Sequence, residues 1–96
     1  MSIDKVGVVG GGQMGGGIAE VCAKAGIATI VVEVSDELAD KSRAGIERSL
    51  DKAVERAKLD DAGRSSALGL LSFATDVGEL AECDLVVEAV VERLDV

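Results

Sequence analysis

Apolar and polar positions fall into blocks whose period changes along the chain. Lys5-Val6-Gly7-Val8-Val9 is a β-branched apolar run, the pattern of a buried parallel strand. Beyond a glycine-rich stretch, Met14, Ile18, Val21, Cys22 and Ala25 recur at helical spacing and predict an apolar face. Glu20 and Lys24 point the other way, and Gly26 closes the helix. Thr29-Ile30-Val31-Val32 predicts a second strand. Ser35-Asp36-Glu37 has the form of a helix start, with Ser35 as N-cap and acids in the first turn. Leu38, Ser42, Gly45, Ile46, Leu50, Ala53, Val54 and Ala57 carry one face of that helix to about Lys58. The charges from Asp40 to Arg56 form its solvated face.

Residues 59–70, with Asp60, Asp61, Gly63, Ser65 and Ser66, predict a turn and then a short helix ending near Leu70. Leu71-Ser72-Phe73-Ala74 is a short third strand. Asp76-Val77-Gly78-Glu79 has capping-box spacing for a brief helix through about Glu82, and Leu85-Val86-Val87-Glu88-Ala89 is a fourth strand. Strands alternating with helices predict an α/β fold with a parallel sheet and right-handed crossovers. In the doubly wound (Rossmann) order 3-2-1-4, ligand sits beyond the carboxyl ends of strands 1 and 4. That topology brings Ala89, Val90 and Glu92 to the crevice.

The glycines sharpen this expectation. Seven of twelve lie between residues 7 and 17, and one register alone places three of them in G-x-G-x-x-G: Gly10, Gly12 and Gly15. Within Gly10-Gly11-Gly12-Gln13-Met14-Gly15, Gly10 permits the tight turn out of the strand. Gly12 lets backbone approach a pyrophosphate, and Gly15 lets the helix pack closely on the strand. The pyrophosphate then rests on N–H groups at the helix N-terminus. Close packing against strand or ligand accounts for Gly17; Gly16 acquires no separate role. Glu33 follows the second strand, eighteen residues after Gly15, where such a βαβ unit places the acid that accepts from the adenosine ribose hydroxyls. A carboxylate there repels a 2′-phosphate, so NAD is favoured over NADP. A P-loop does not fit, because Gly16 and Gly17 stand where Lys and Ser/Thr are required.

Composition narrows the function classes. Ten basic against eighteen acidic residues give a net charge of −8, which repels nucleic acid and anionic lipid. Phe73 is the one aromatic residue, too few for stacking on bases. No apolar stretch approaches the ~18 residues of a membrane helix. No signal peptide precedes Val6, and Cys22 and Cys83 read as small buried residues of a reduced compartment. A cytoplasmic location is the expectation. Histidine is absent, which removes the commonest proton-transfer group and the commonest metal ligand, and no metal site is expected.

Val6-Gly7-Val8-Val9-Gly10-Gly11-Gly12-Gln13-Met14-Gly15-Gly16-Gly17-Ile18-Ala19 resembles the opening of 3-hydroxyacyl-CoA dehydrogenases. Asp84-Leu85-Val86-Val87-Glu88-Ala89-Val90-Val91-Glu92, the Phe73-Ala74-Thr75-Asp76 stretch and the long second helix are similar to that family as well. The likeness is to the stand-alone bacterial type, with 3-hydroxybutyryl-CoA as the specific substrate. The resemblance implies NAD-linked oxidation of a (3S)-3-hydroxyacyl-CoA to the 3-oxoacyl-CoA, in a parent expected to be a homodimer. It implies that residues 10–15 hold the pyrophosphate and Glu33 the ribose, where the family more often has Asp. Glu92 matches an acid beside the nicotinamide half of the cofactor. The family's catalytic His, its paired Glu and the supporting Ser and Asn fall beyond the point corresponding to Val96. Residues 1–96 therefore read as the amino-terminal portion of a dinucleotide-binding domain, unable to turn over alone. Two rivals remain at this point: an FAD-binding Rossmann domain, which opens in the same way, and a non-catalytic NAD-sensing or oligomerisation module.

Overall fold

The computed structural model describes residues 3–10 and 12–89, with Gln13 described in its backbone alone. Four strands, β1 (Lys5–Val9), β2 (Ala28–Val32), β3 (Leu71–Ala74) and β4 (Leu85–Glu88), form one parallel sheet in the order β3-β2-β1-β4. Three helices, α1 (Gly12–Lys24), α2 (Asp36–Glu55) and α3 (Asp61–Leu70), and a 3₁₀ helix (Val77–Glu82) make the connections. This is the doubly wound arrangement that the alternation of periods predicts.

Successive strand residues face opposite sides of the sheet. Val6, Val8 and Val31 turn to one side, where Ala19 and Ala23 of α1, Ile46 and Leu50 of α2 and Ala67 of α3 complete the core. The other side receives the 3₁₀ helix. A Cβ on Gly7 would overlap the Leu80 side chain and lie 3.0 Å from Cys83 Sγ, so the missing side chain lets this connection lie flat on β1. Leu50 has no exposure, and truncating such a buried leucine to alanine typically costs about 2–5 kcal/mol.

The face of α1 differs from the sequence expectation. Met14 and Val21 are 59% and 63% exposed, and Ala25 is exposed too, whereas Ala19 and Ala23 are buried. Small residues face the sheet because α1 lies close to β1; of the expected face, Ile18 and Cys22 pack against this core, while Met14, Val21 and Ala25 lie to its flank. Gly17 also departs from expectation. Among the described residues no strand atom lies within 4 Å of its Cβ position, which leaves the ligand half of the expectation open, while Gly16 sits at the crossing with α2, its Cβ position 3.6 Å from Ile46 Cγ1.

Caps fix most boundaries. Ser35 Oγ accepts from Leu38 N–H at 3.2 Å, as predicted for α2. That helix ends at Glu55, three residues before Lys58, and Ala57 turns left-handed at φ 55°. Asp60 caps α3 by accepting from Gly63 N–H at 2.7 Å, so most of the expected turn at 60–66 is helix. Asp84 Oδ2 accepts from Asp4 N–H (2.8 Å) and Lys5 N–H (3.0 Å), which staples the start of β4 to the start of β1. β4 lies at the sheet edge with Leu85 and Val86 about half exposed. Among the described residues, no helix is long and apolar enough to cross a membrane.

Candidate functional site

Three chain exits lie side by side at the carboxyl end of the sheet. Val9 pairs with both Val32 and Glu88, so Gly10, Glu33 and Ala89 each stand one residue beyond a paired position. The row is tied together through main chain. Gly10 N–H donates to Val32 O (2.8 Å), Ala89 N–H to Val9 O (3.0 Å) and Glu33 N–H to Ala74 O (2.9 Å).

Gly10 and Gly12 bend the chain from β1 into α1 with φ of +63° and +51°. A residue with a Cβ pays about 1–2 kcal/mol in that left-handed region. Among the described residues, nothing lies within 4 Å of the Cβ position at either glycine. At Gly15 the contact is close: a Cβ would collide with the Gly10 carbonyl oxygen, which holds the first turn of α1 against the strand exit. The first amides of a helix have no intrahelical acceptor and carry the positive end of its dipole. The open turn and these amides form a cradle for an anion.

Glu33 is 5% exposed, and among the described residues its buried Oε1 has no hydrogen-bond partner. Burial pushes its carboxyl above the ordinary value, and the hydrogen bond from the Gly12 amide works against that rise. An unpaired buried oxygen costs about 1–3 kcal/mol, more where the group is charged, and an ionised carboxylate can only accept. The complementary ligand group is a set of hydroxyl donors. A diphosphate on the turn and a ribose diol at Glu33 fit this geometry.

Of the residues singled out from sequence, Gly10, Gly12, Gly15, Glu33 and Ala89 share the carboxyl end of the sheet, with Met14 exposed on the first turn of α1. Gln13 belongs to that turn, though its side chain lies outside the described residues, as do Gly11, Val90 and Glu92. The histidine-free chain shows no group of three or more potential metal ligands among the described residues. The sequence reading missed a groove of about 700 Å³ between α1 and α2, lined by Gly16, Gly17, Glu20, Lys41, Ser42 and Arg48 among others. Ser42 Oγ is buried there without a partner. The signal was available in the small residues at 16, 17 and 45, which keep the two helices from filling the space between them.

Fold and site define a dinucleotide-binding Rossmann domain. The sequence family described as "3-hydroxyacyl-CoA dehydrogenase, NAD binding domain" matches residues 5–96, and the chain belongs to it. That membership decides for NAD over the flavin alternative. A 3-hydroxybutyryl-CoA dehydrogenase of Mycobacterium tuberculosis is 50% identical over 91 residues, covering 95% of this chain and 32% of the relative. The mitochondrial hydroxyacyl-coenzyme A dehydrogenase of Mus musculus is 41% identical over 98 residues, covering 96% of this chain and 31% of that protein. The crystal structure of (S)-3-hydroxybutyryl-CoA dehydrogenase from Ralstonia eutropha superposes with a TM-score of 0.91 at 39% identity, covering 97% of this chain and 33% of that one. The chain spans about a third of the length of these relatives.

Proposed function

We propose that Gly10, Gly11, Gly12, Gln13, Met14 and Gly15 hold the pyrophosphate of NAD, that Glu33 holds its adenosine ribose, and that Ala89, Val90 and Glu92 border the nicotinamide half. The unpartnered buried Oε1 of Glu33 carries this reading, because a vicinal diol supplies the donors it lacks. Its burial also argues for NAD over NADP, since a 2′-phosphate would have to approach a carboxylate where little water screens it.

The names of the relatives support a role in NAD-linked oxidation of a (3S)-3-hydroxyacyl-CoA, specifically 3-hydroxybutyryl-CoA, to the 3-oxoacyl-CoA. When bound, NAD supplies the acceptor for the hydride that leaves the hydroxyl-bearing carbon. This chain's own part is to grip and orient the cofactor. Without a histidine, it offers no general base of the kind the resemblance implies. Substrate oxidation therefore belongs to an intact, cytoplasmic and dimeric enzyme, and the chain alone binds NAD weakly and does not turn over.

Calorimetric titration with NAD and NADP tests the site. NAD should bind with the higher affinity, and Glu33→Ala should weaken it by about 1–3 kcal/mol through lost ribose hydrogen bonds. Equal affinity for both nucleotides, or an unchanged NAD affinity in the variant, removes Glu33 from the ribose site.

A further inference from the structure

We infer that the outer flank of α1 and the adjoining face of β4 form the seat of an amphipathic helix from the rest of the parent enzyme, laid alongside α1 in the corner that the two elements make.

α1 carries an apolar stripe that the described elements leave largely uncovered. Two of its sides are accounted for: Gly16 meets α2 at Ile46, and Gly15 and the buried Ala19 face the sheet. Met14, Ile18, Val21 and Ala25 follow one another at helical spacing and stand together on the flank turned away from α2. Ala25 still belongs to that row, since its N–H donates to Val21 O at 3.1 Å. Met14, Val21 and Ala25 are exposed, and Ile18 is half-buried. This flank overlooks β4. α1 lies over β1 and β2 with α2 toward β3, and β4 is the strand on the other side of β1. Register pairs Leu85 with Val6 and Val87 with Val8, the β1 residues that face α1, so Leu85 and Val87 face the same way. Val86 lies on the opposite side, 3.6 Å from the Cβ position of Gly7. The stripe is thus the wall, and β4 the floor, of one apolar corner with Leu85 45% exposed in it.

Dimensions select the occupant. From Met14 to Ala25 the wall runs about 16 Å, some three helical turns. Packed helices lie about 8–10 Å apart and neighbouring strands about 4.8 Å, so a helix beside α1 covers β4 and one strand's width beyond it. A second copy of the chain is disfavoured, because each brings a net charge of −8. The intact relatives have the material, with about two-thirds of their length outside the match.

Hydroxyl-radical footprinting tests the seat on two molecules: the 96-residue chain, and a chimaera in which it replaces the matching third of the Mycobacterium tuberculosis relative. Met14, Val21 and Leu85 should be oxidised readily in the chain alone and lose most of that labelling in the chimaera. Val34, 87% exposed at the end of β2, should label equally in both. Undiminished labelling of the three residues in a chimaera that unfolds cooperatively overturns the inference. Protection already present in the chain alone, with a dimer in sedimentation, makes a second copy the occupant and overturns it too. A photoreactive benzophenone side chain at position 21 of the chimaera should crosslink to residues three or four apart in one segment; crosslinks at alternate residues mean a strand and overturn the helix. Should the chimaera not fold, the intact relative and its own matching third decide by the same footprint.

Discussion

Gly15 and Gly16 are neighbours on one helix, yet alanine should act on them with opposite sign. At Gly15 the new Cβ would collide with the Gly10 carbonyl oxygen, a backbone atom that cannot rotate aside. Relieving the overlap means moving α1 off β1 or distorting the turn, and overpacking of this kind costs about 1–3 kcal/mol. Better helix propensity returns only about 0.5–1 kcal/mol. The net loss is about 1–2 kcal/mol. At Gly16 the Cβ would rest 3.6 Å from Ile46 Cγ1 and 3.8 Å from Ser42 Oγ, ordinary contact distances. There the propensity gain stands, and the methyl adds up to about 0.8 kcal/mol by leaving water for the α1–α2 contact. For a domain of this size each kcal/mol moves Tm by roughly 4–8 °C. Thermal unfolding by circular dichroism should show Gly15→Ala melting roughly 5–15 °C lower and Gly16→Ala melting several degrees higher. If both variants shift the same way, the contacts assigned to these two glycines are wrong.

Glu33 gives the free chain a pH dependence opposite to that of a salt-bridged carboxylate. Its folded pKa is raised above the 4.5 of an unperturbed glutamate, so its contribution is complete below that value and is lost as pH rises through the folded pKa. Urea midpoints should record that loss in the parent chain, and Glu33→Gln should remove this component; a variant with the same pH profile as the parent would refute it. Gly12→Val should destabilise the fold by about 1–2 kcal/mol through its left-handed backbone and should abolish detectable NAD binding in calorimetry, while near-normal NAD affinity would take the turn out of the site. Asp84→Ala should cost about 1 kcal/mol in chemical unfolding, because the Asp4 and Lys5 amides lose their side-chain acceptor while the Asp84 backbone N–H keeps its bond to Lys5 O; a urea midpoint unchanged from the parent would refute the staple.

The two central strands were readable because buried parallel strands are written as runs rich in β-branched residues, as in Val6–Val9, broken only by Gly7, and in Thr29–Val32. Ser35 and Asp76 announced their helices through capping chemistry that acts over two or three residues, to Leu38 and to Gly78. The face of α1 was misread for a different reason. Periodicity marks the largest apolar residues as the core, but a helix held close to a strand by Gly15 turns its smallest residues inward. Ala19 and Ala23 thus went inside and Val21 outside. Gly7 shows the same blindness: its role depends on Leu80 and Cys83, more than seventy residues away, and nothing local to β1 reveals them. The acid at position 33 was legible from spacing, whereas the burial that orphans its oxygen exists only once β2 and its neighbours are side by side.

That adjacency bears on how so acidic a chain can hold an anionic cofactor at all. With a net charge of −8, long-range attraction works against a diphosphate, and no lysine or arginine lies within residues 6–23. Binding must then come from short-range amides, whose contribution depends on their being fixed in direction before the ligand arrives. Glycine supplies the required backbone angles but no rigidity of its own. The rigidity has to come from elsewhere, and the end of β2 is where the structure offers it: a strand locked between β1 and β3 through register pairs on both sides, whose Val32 carbonyl accepts from Gly10 N–H at 2.8 Å. The first glycine of the turn is thereby fixed to β2 before any ligand arrives.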